Sequence, residues 1–176
     1  IMRIFSTLLA FIMVFFTSCF PASAIDINSE FSSKKIESIH YSFTPNSLED
    51  AQQSNLQQWQ LLNNKPLNLG LETRPVWIQF QLNNYLNKPT EPILSLDNPL
   101  LNNVYLYHFM GEEQLKSERL GDALPLSDRA IKSESLLVKL TLPANSETTV
   151  YLNVNNNAGI GLRVPLTLWQ QDALLA

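Results

Sequence analysis

Residues 76–84, VWIQFQLNN, alternate strictly: Val76, Ile78, Phe80 and Leu82 against Trp77, Gln79, Gln81 and Asn83. A period of two puts the first set on one face of an extended strand and the second on the other. Pro75 has no N–H to give to a ladder, so it suits the position where such a strand opens. Asn83-Asn84 closes the run with turn-prone side chains. The pattern returns downstream in Val104, Leu106 and His108 against Tyr105, Tyr107 and Phe109. It returns again in Leu136, Val138, Leu140 and Leu142, in Val150, Leu152 and Val154, and in Leu162, Val164, Leu166 and Leu168. Segments of this kind bury one face each, so they have to be stacked as sheets.

The remaining chain fits between them. Ile36 to Phe43 alternates as a first strand and is broken by Thr44-Pro45-Asn46. Ser47 is a helix N-cap followed by Glu49 and Asp50 in the first turn. Leu48, Ala51, Leu56, Trp59 and Leu62 then form a rough apolar stripe, which predicts a short amphipathic helix over 48–62. Asn63-Asn64-Lys65-Pro66 stops it. Ile93 to Asp97 is a short strand ended by Asn98-Pro99. Met110 to Glu113 is a hairpin turn, and Gln114 to Leu120 returns. Gly121 to Arg129 is a long irregular connection, Pro143 to Glu147 a turn, and Asn155 to Gly159 a loop. About eight or nine short strands, broken by Pro, Asn and Gly, predict an all-β chain: a jelly-roll β-sandwich with one short helix. The expected core domain is 36–170, preceded by a lead-in over 25–35 and followed by a tail over 171–176.

The N-terminus reads as an address. Met2-Arg3 is a short positive segment, Ile4 to Phe16 is almost wholly apolar, and Ala22-Ser23-Ala24 is an A-x-A cleavage site. Residues 1–24 are thus expected to be a secretory signal peptide, with the mature protein in a Gram-negative periplasm. An uncleaved anchor is the bland alternative. Phe16-Thr17-Ser18-Cys19 also loosely resembles a lipobox, which would tether the chain through a lipid on Cys19. No second apolar run approaches the length of a membrane helix.

Composition removes several function classes. The chain carries 12 basic and 16 acidic residues, a formal charge of −4, with no basic run longer than Lys34-Lys35. That argues against nucleic acid and anionic membrane as partners. Glycines number 5, and no phosphate-cradling glycine motif is present. One Cys and two His, His40 and His108, do not make a metal site. Glu112 and Glu113 are neighbours in a turn, not two carboxylates held apart across a cleft, so glycosidase chemistry is not indicated. The expectation is no cofactor, no metal and no catalysis.

The candidate ligand-binding residues are Trp77, Asn84, Tyr107, Asp122, Arg129 and Arg163. Trp77 is a large aromatic on a polar face, suited to stack on a sugar ring. The plainer reading is that it lies under the Gln-rich helix, whose stripe must be buried somewhere. Trp59 and Trp169 carry the same two readings. Asp122 and Arg129 share one loop and could rim a pocket or simply tie the loop by a carboxylate–guanidinium pair. Arg163 could hold an acidic ligand group or be a solvated cation.

Taken in order, several segments resemble a known family. They are Val76-Trp77-Ile78-Gln79-Phe80 with Leu82-Asn83-Asn84, and Leu94-Ser95-Leu96-Asp97-Asn98-Pro99 running into Val104-Tyr105-Leu106-Tyr107. Then come Gly121-Asp122-Ala123-Leu124-Pro125 with Arg129, Thr149 to Val154, and Val164-Pro165-Leu166-Thr167-Leu168-Trp169. The set resembles the type 2 extracellular domain of bacterial seven-transmembrane receptors with diverse intracellular signalling modules. The resemblance implies a jelly-roll sensor of carbohydrate-like or other small ligands, placed ahead of seven membrane helices and an intracellular output domain. The family often has Arg at the position of Gln79, so no role of that Arg passes to Gln79. With Gln170 to Ala176 standing just ahead of where the first membrane helix is expected to begin, the chain reads as a severed receptor sensor or a free-standing binding protein. The alternative is an interaction module that dimerises or docks on a membrane receptor.

Overall fold

The computed structural model describes residues 24–156 and 161–174. The segment 1–23, with Cys19, and loop residues 157–159 lie outside the described residues. In chain order the elements are β1 (Ala24–Ile27), β2 (Ser33–Lys35), β3 (Ile39–Ser42), helix α1 (Leu48–Gln53), a 3-10 turn (Leu56–Gln58), β4 (Gln60–Leu62) and β5 (Leu67–Asn68). Then follow β6 (Val76–Asn84), β7 (Ile93–Leu96), β8 (Asn103–Met110), β9 (Glu113–Leu120), a second 3-10 turn (Leu126–Asp128) and β10 (Leu136–Lys139). The chain finishes with β11 (Ser146–Asn155), β12 (Arg163–Val164), β13 (Leu166–Trp169) and α2 (Gln171–Leu174).

The alternating run 76–84 is the hub. As β6 it pairs antiparallel along its whole length with β11, from Val76 opposite Val154 to Asn84 opposite Ser146. Its other edge is shared end to end. β3 lies antiparallel beside Trp77 to Gln79, and β1 lies parallel beside Gln81 to Asn84. With β8, β9 and β4 this makes a seven-stranded sheet in the order β4-β3-β6-β11-β8-β9, with β1 beside β6. The second sheet runs β10-β7-β13-β2, and β12 pairs with β5 as a small ribbon.

The inward sets meet between the sheets. Val76, Ile78, Phe80 and Leu82 share one buried cluster with Leu94, Leu96, Val138, Leu140, Val150, Leu152, Leu166 and Leu168. Each such side chain contributes about 1.5–3 kcal/mol through burial, so the sandwich stands on residues whose period was visible in the chain. The fold is an all-β sandwich, as expected. The hairpin after β8 turns at Gly111, whose φ of +59° suits glycine.

Three expectations need correction. The helix predicted over 48–62 is only α1. Ser54 ends it, Asn55 caps the 3-10 turn by accepting from the Gln57 N–H, and residues 60–62 leave helix for a ladder with β3. A second pull toward that ladder is the Tyr41 hydroxyl donating to Gln60 Oε1 at 2.6 Å. The first strand begins at Ile39, not Ile36, because the Ile36 N–H is already given to the Leu166 carbonyl at 2.9 Å. Residues 25–35, read as a lead-in, supply β1 and β2, with Ile25 and Ile27 buried in the core. These short strands raise the number among the described residues to thirteen.

Candidate functional site

The outer face of the seven-stranded sheet is aromatic. Register puts Trp77 across from Asn153, and Asn153 across from Tyr105; the adjacent row is Gln79, Tyr151, Tyr107. α1 and the 3-10 turn cover part of this face, where Ala51, Trp59, Trp77, Phe109 and Tyr151 form a second buried cluster. Gln79 sits beneath the same cover and donates from Nε2 to the Tyr151 hydroxyl at 3.5 Å. Burial pushes the Tyr151 phenol up and the His40 imidazole down from their ordinary values.

Where the cover ends, the face opens into a cleft of about 600 Å³. Its floor is Trp77, Tyr105, Tyr107 and Asn153; its walls are the loop before α1, including Pro45 and Asn46, and the Arg74-Pro75 corner before β6. Trp77 and Tyr107 stack with ring centres 6.2 Å apart and an interplanar angle of 23°. Trp77 is only 4% exposed, so it backs the cleft, while Tyr105, at 38%, presents the most open ring. Arg74 lies over the Phe43 ring at 4.2 Å, and Arg119 over Tyr105 at 5.8 Å. Stacked and offset aromatic faces beside amides suit a ligand with one apolar face and hydrogen-bonding edges.

The six candidate residues are not brought together. Trp77 and Tyr107 share this cleft. Arg163, exposed on β12, lines a separate cleft of about 580 Å³ against the four-stranded sheet, with Lys35, Glu37 and Asp97. There the hydroxyl of Thr167 donates to Asp97 Oδ2 at 2.7 Å, and Ser95 donates to the other carboxylate oxygen. Asn84 is a buried fastener. Its Nδ2 donates to the carbonyls of Lys88 (3.1 Å), Leu142 (3.3 Å) and Pro143 (2.8 Å), and its Oδ1 accepts the Leu86 N–H at 3.0 Å. Asp122 is exposed at the start of its loop.

Arg129 ties that loop, but not through Asp122. Its guanidinium donates to four backbone carbonyls: Leu124 at 3.2 Å, Ser133 at 2.8 Å, Glu134 at 3.4 Å and Gly121 at 3.3 Å. A planar five-donor fork spreads far enough to serve these four acceptors, where a lysine ammonium offers three donors from one point. Arg129→Lys is therefore expected to lose about 2 kcal/mol, nearly as much as Arg129→Ala, since a charged donor bond contributes about 1.5–3 kcal/mol. Urea unfolding of the two variants checks it; a lysine variant as stable as the parent would refute the fork.

Reading the residues alone missed Tyr105, Arg74, Asn46 and Asn153. Tyr105 had a signal, since it alternates onto the same strand face as Tyr107. The others reach the cleft only through the pairing of β6 with β11 and the placement of two loops, which no local pattern encodes.

Fold and topology place the chain in the class of all-β sandwich domains. Residues 34–170 match the family 7TMR-DISM extracellular 2, and the chain belongs to it. That family is an extracellular sensory domain of seven-transmembrane receptors. No curated protein matches the chain. Among the described residues, no helix is long and apolar enough to cross a membrane.

Proposed function

We propose that the chain is the ligand-binding part of such a sensor, taking a carbohydrate-like small molecule in the outer-face cleft and doing no chemistry on it. Residues 1–24 direct export, and the domain works in the periplasm. Occupancy is passed to a membrane partner by favouring one of two pre-existing arrangements of the cover and sheet. The observation that carries this reading is the Trp77–Tyr107 stack continuing into the open Tyr105 ring, flanked by Asn46 and Asn153. Sugar rings offer an apolar C–H face to an aromatic and hydroxyls to amides, which is the chemistry this cleft displays.

Titration calorimetry against soluble mono- and oligosaccharides tests it. Tyr105→Ala and Tyr107→Ala are each expected to weaken binding by about two- to tenfold, the size of one aromatic contact of about 0.5–1.5 kcal/mol. Trp77→Phe keeps an aromatic ring behind the cleft and is expected to change affinity less. Sugar binding that ignores both tyrosine variants would place the ligand elsewhere.

A further inference from the structure

We propose that the cleft selects uncharged sugars over their carboxylate-bearing counterparts, and that Glu72 sets this selectivity by pairing with the guanidinium of Arg74 and balancing its charge. The proposal rests on the outer-face cleft being the ligand site. Arg74 is the charged side chain among the residues that line it. A guanidinium on the wall of a sugar site is the natural partner of a uronate, because its planar fork matches a carboxylate with two parallel bonds.

In this protein one edge of that fork is already filled. Arg74 Nε donates to Glu72 Oε1 at 3.0 Å and Nη2 donates to Oε2 at 2.7 Å. Oε1 also accepts the backbone N–H groups of Thr73 at 3.0 Å and Arg74 at 2.9 Å. The pair closes across one intervening residue, so holding it together costs little chain entropy. These bonds keep the Glu72 carboxyl at about 2, and it stays ionised throughout the range in which a periplasmic protein works. One flat side of the guanidinium is taken as well, by the Phe43 ring. The other groups that meet a ligand are neutral, the amides of Asn46 and Asn153 and the two tyrosines, and the N–H donors that exposed Arg74 has left over belong to a pair whose charge Glu72 already balances. Arg119 is outside the lining and gives Nη2 to Asn103 Oδ1 at 2.8 Å. An incoming carboxylate would shed its hydration to reach a neutralised pair, with the like charge of Glu72 beside it.

The test is calorimetry of the full chain with matched methyl glycosides: glucoside against glucuronide, galactoside against galacturonide, mannoside against mannuronide. The parent is expected to bind the neutral member of a pair more tightly by about tenfold or more, equivalent to about 1.4 kcal/mol. Glu72→Gln removes the balancing charge from Arg74 and is expected to tighten the uronate by a similar factor, with the neutral sugar little changed. The double variant Glu72→Gln with Arg74→Gln returns the uronate to its parental affinity; thermal melts establish that each variant is folded. A parent that binds uronate as well as the neutral sugar, or a Glu72→Gln variant with unaltered selectivity, overturns the role of Glu72. The tyrosine dependence would then still stand and leave the cleft reading intact. Failure of all six glycosides to bind the parent overturns the cleft reading and the selectivity together.

Discussion

Gly121→Ala is expected to lower stability by about 4 kcal/mol, through two effects that add at one atom. Gly121 has a φ of +124°, a region that residues with a Cβ rarely adopt. A Cβ there would also lie 2.1 Å from the carbonyl oxygen of Asn102 and 2.7 Å from its carbon. Neither atom can retreat cheaply. The Asn102 carbonyl accepts the Ala123 N–H at 3.1 Å, and the Asn102 N–H is held by Asn156 Oδ1 at 3.0 Å. The neighbouring Leu101 carbonyl accepts the Asp122 N–H at 2.7 Å. The loop after β9 is thus laced to the segment before β8, and only glycine lets the two backbones approach so closely. For a chain of this size the loss corresponds to a fall in Tm of about 10 °C, readable by calorimetric scan. A shift under about 2 °C would mean the loop repacks freely. Glycoside affinity at the outer-face cleft is expected to survive in the folded fraction, because Gly121 is not among its lining residues.

That glycine also marks the boundary of what was legible in the chain. Gly121, Asp122 and Arg129 could be read as one ordered loop. The acceptors of Arg129 could not be read, because they are backbone carbonyls assembled by the loop's own conformation. Strands β6, β8, β10, β11 and β13 were legible because burial of one sheet face imposes a period of two over four or more residues. β2 and β5 are three and two residues long, too short to show any period, and exist because a partner strand offers unpaired N–H and C=O groups. The Gln-rich stretch misled for the same reason. Its apolar stripe fits a helix only loosely, and the ladder with β3, twenty residues away, wins residues 60–62. The oddity of Trp77 on a polar face pointed correctly to the outer surface of β6. What it could not reveal is that one ring serves two neighbours, the buried cluster under α1 and the cleft beside it.

Acidification from pH 7 to pH 4 is expected to remove about 3 kcal/mol of stability through His108 alone, a loss His108→Leu should abolish. His108 faces inward from β8, is 0% exposed, and both ring nitrogens lack a hydrogen-bond partner among the described residues. It lies across from Val150 on one side and Lys116 on the other. Burial first, and the Lys116 ammonium second, push its pKa from 6.5 down to about 4. Lys116 is paired with Glu118 Oε2 at 3.0 Å, and Glu118 Oε1 is buried with no hydrogen-bond partner among the described residues. The folded pKa is below the unfolded one, so the unfolded chain binds more protons between them. The contribution is therefore whole above about pH 6.5, declines as the pH falls toward 4, and is constant below that. Carboxylates titrate in part of the same window, so the readout is the difference between parent and variant in urea unfolding at matched pH. His108→Leu also removes two unpaired buried polar atoms and is expected to be more stable than the parent even at pH 7. His40→Gln, at a half-buried position beside Gln79, serves as the control and should leave most of the pH dependence in place. Parallel curves for parent and His108→Leu between pH 7 and 4 would show that the imidazole finds a proton partner in the core. A constant gap near neutral pH that widens as the pH falls below about 6 would show it held neutral by burial. A sensor built this way loosens its core in acid, on the sheet whose opposite face carries the cleft.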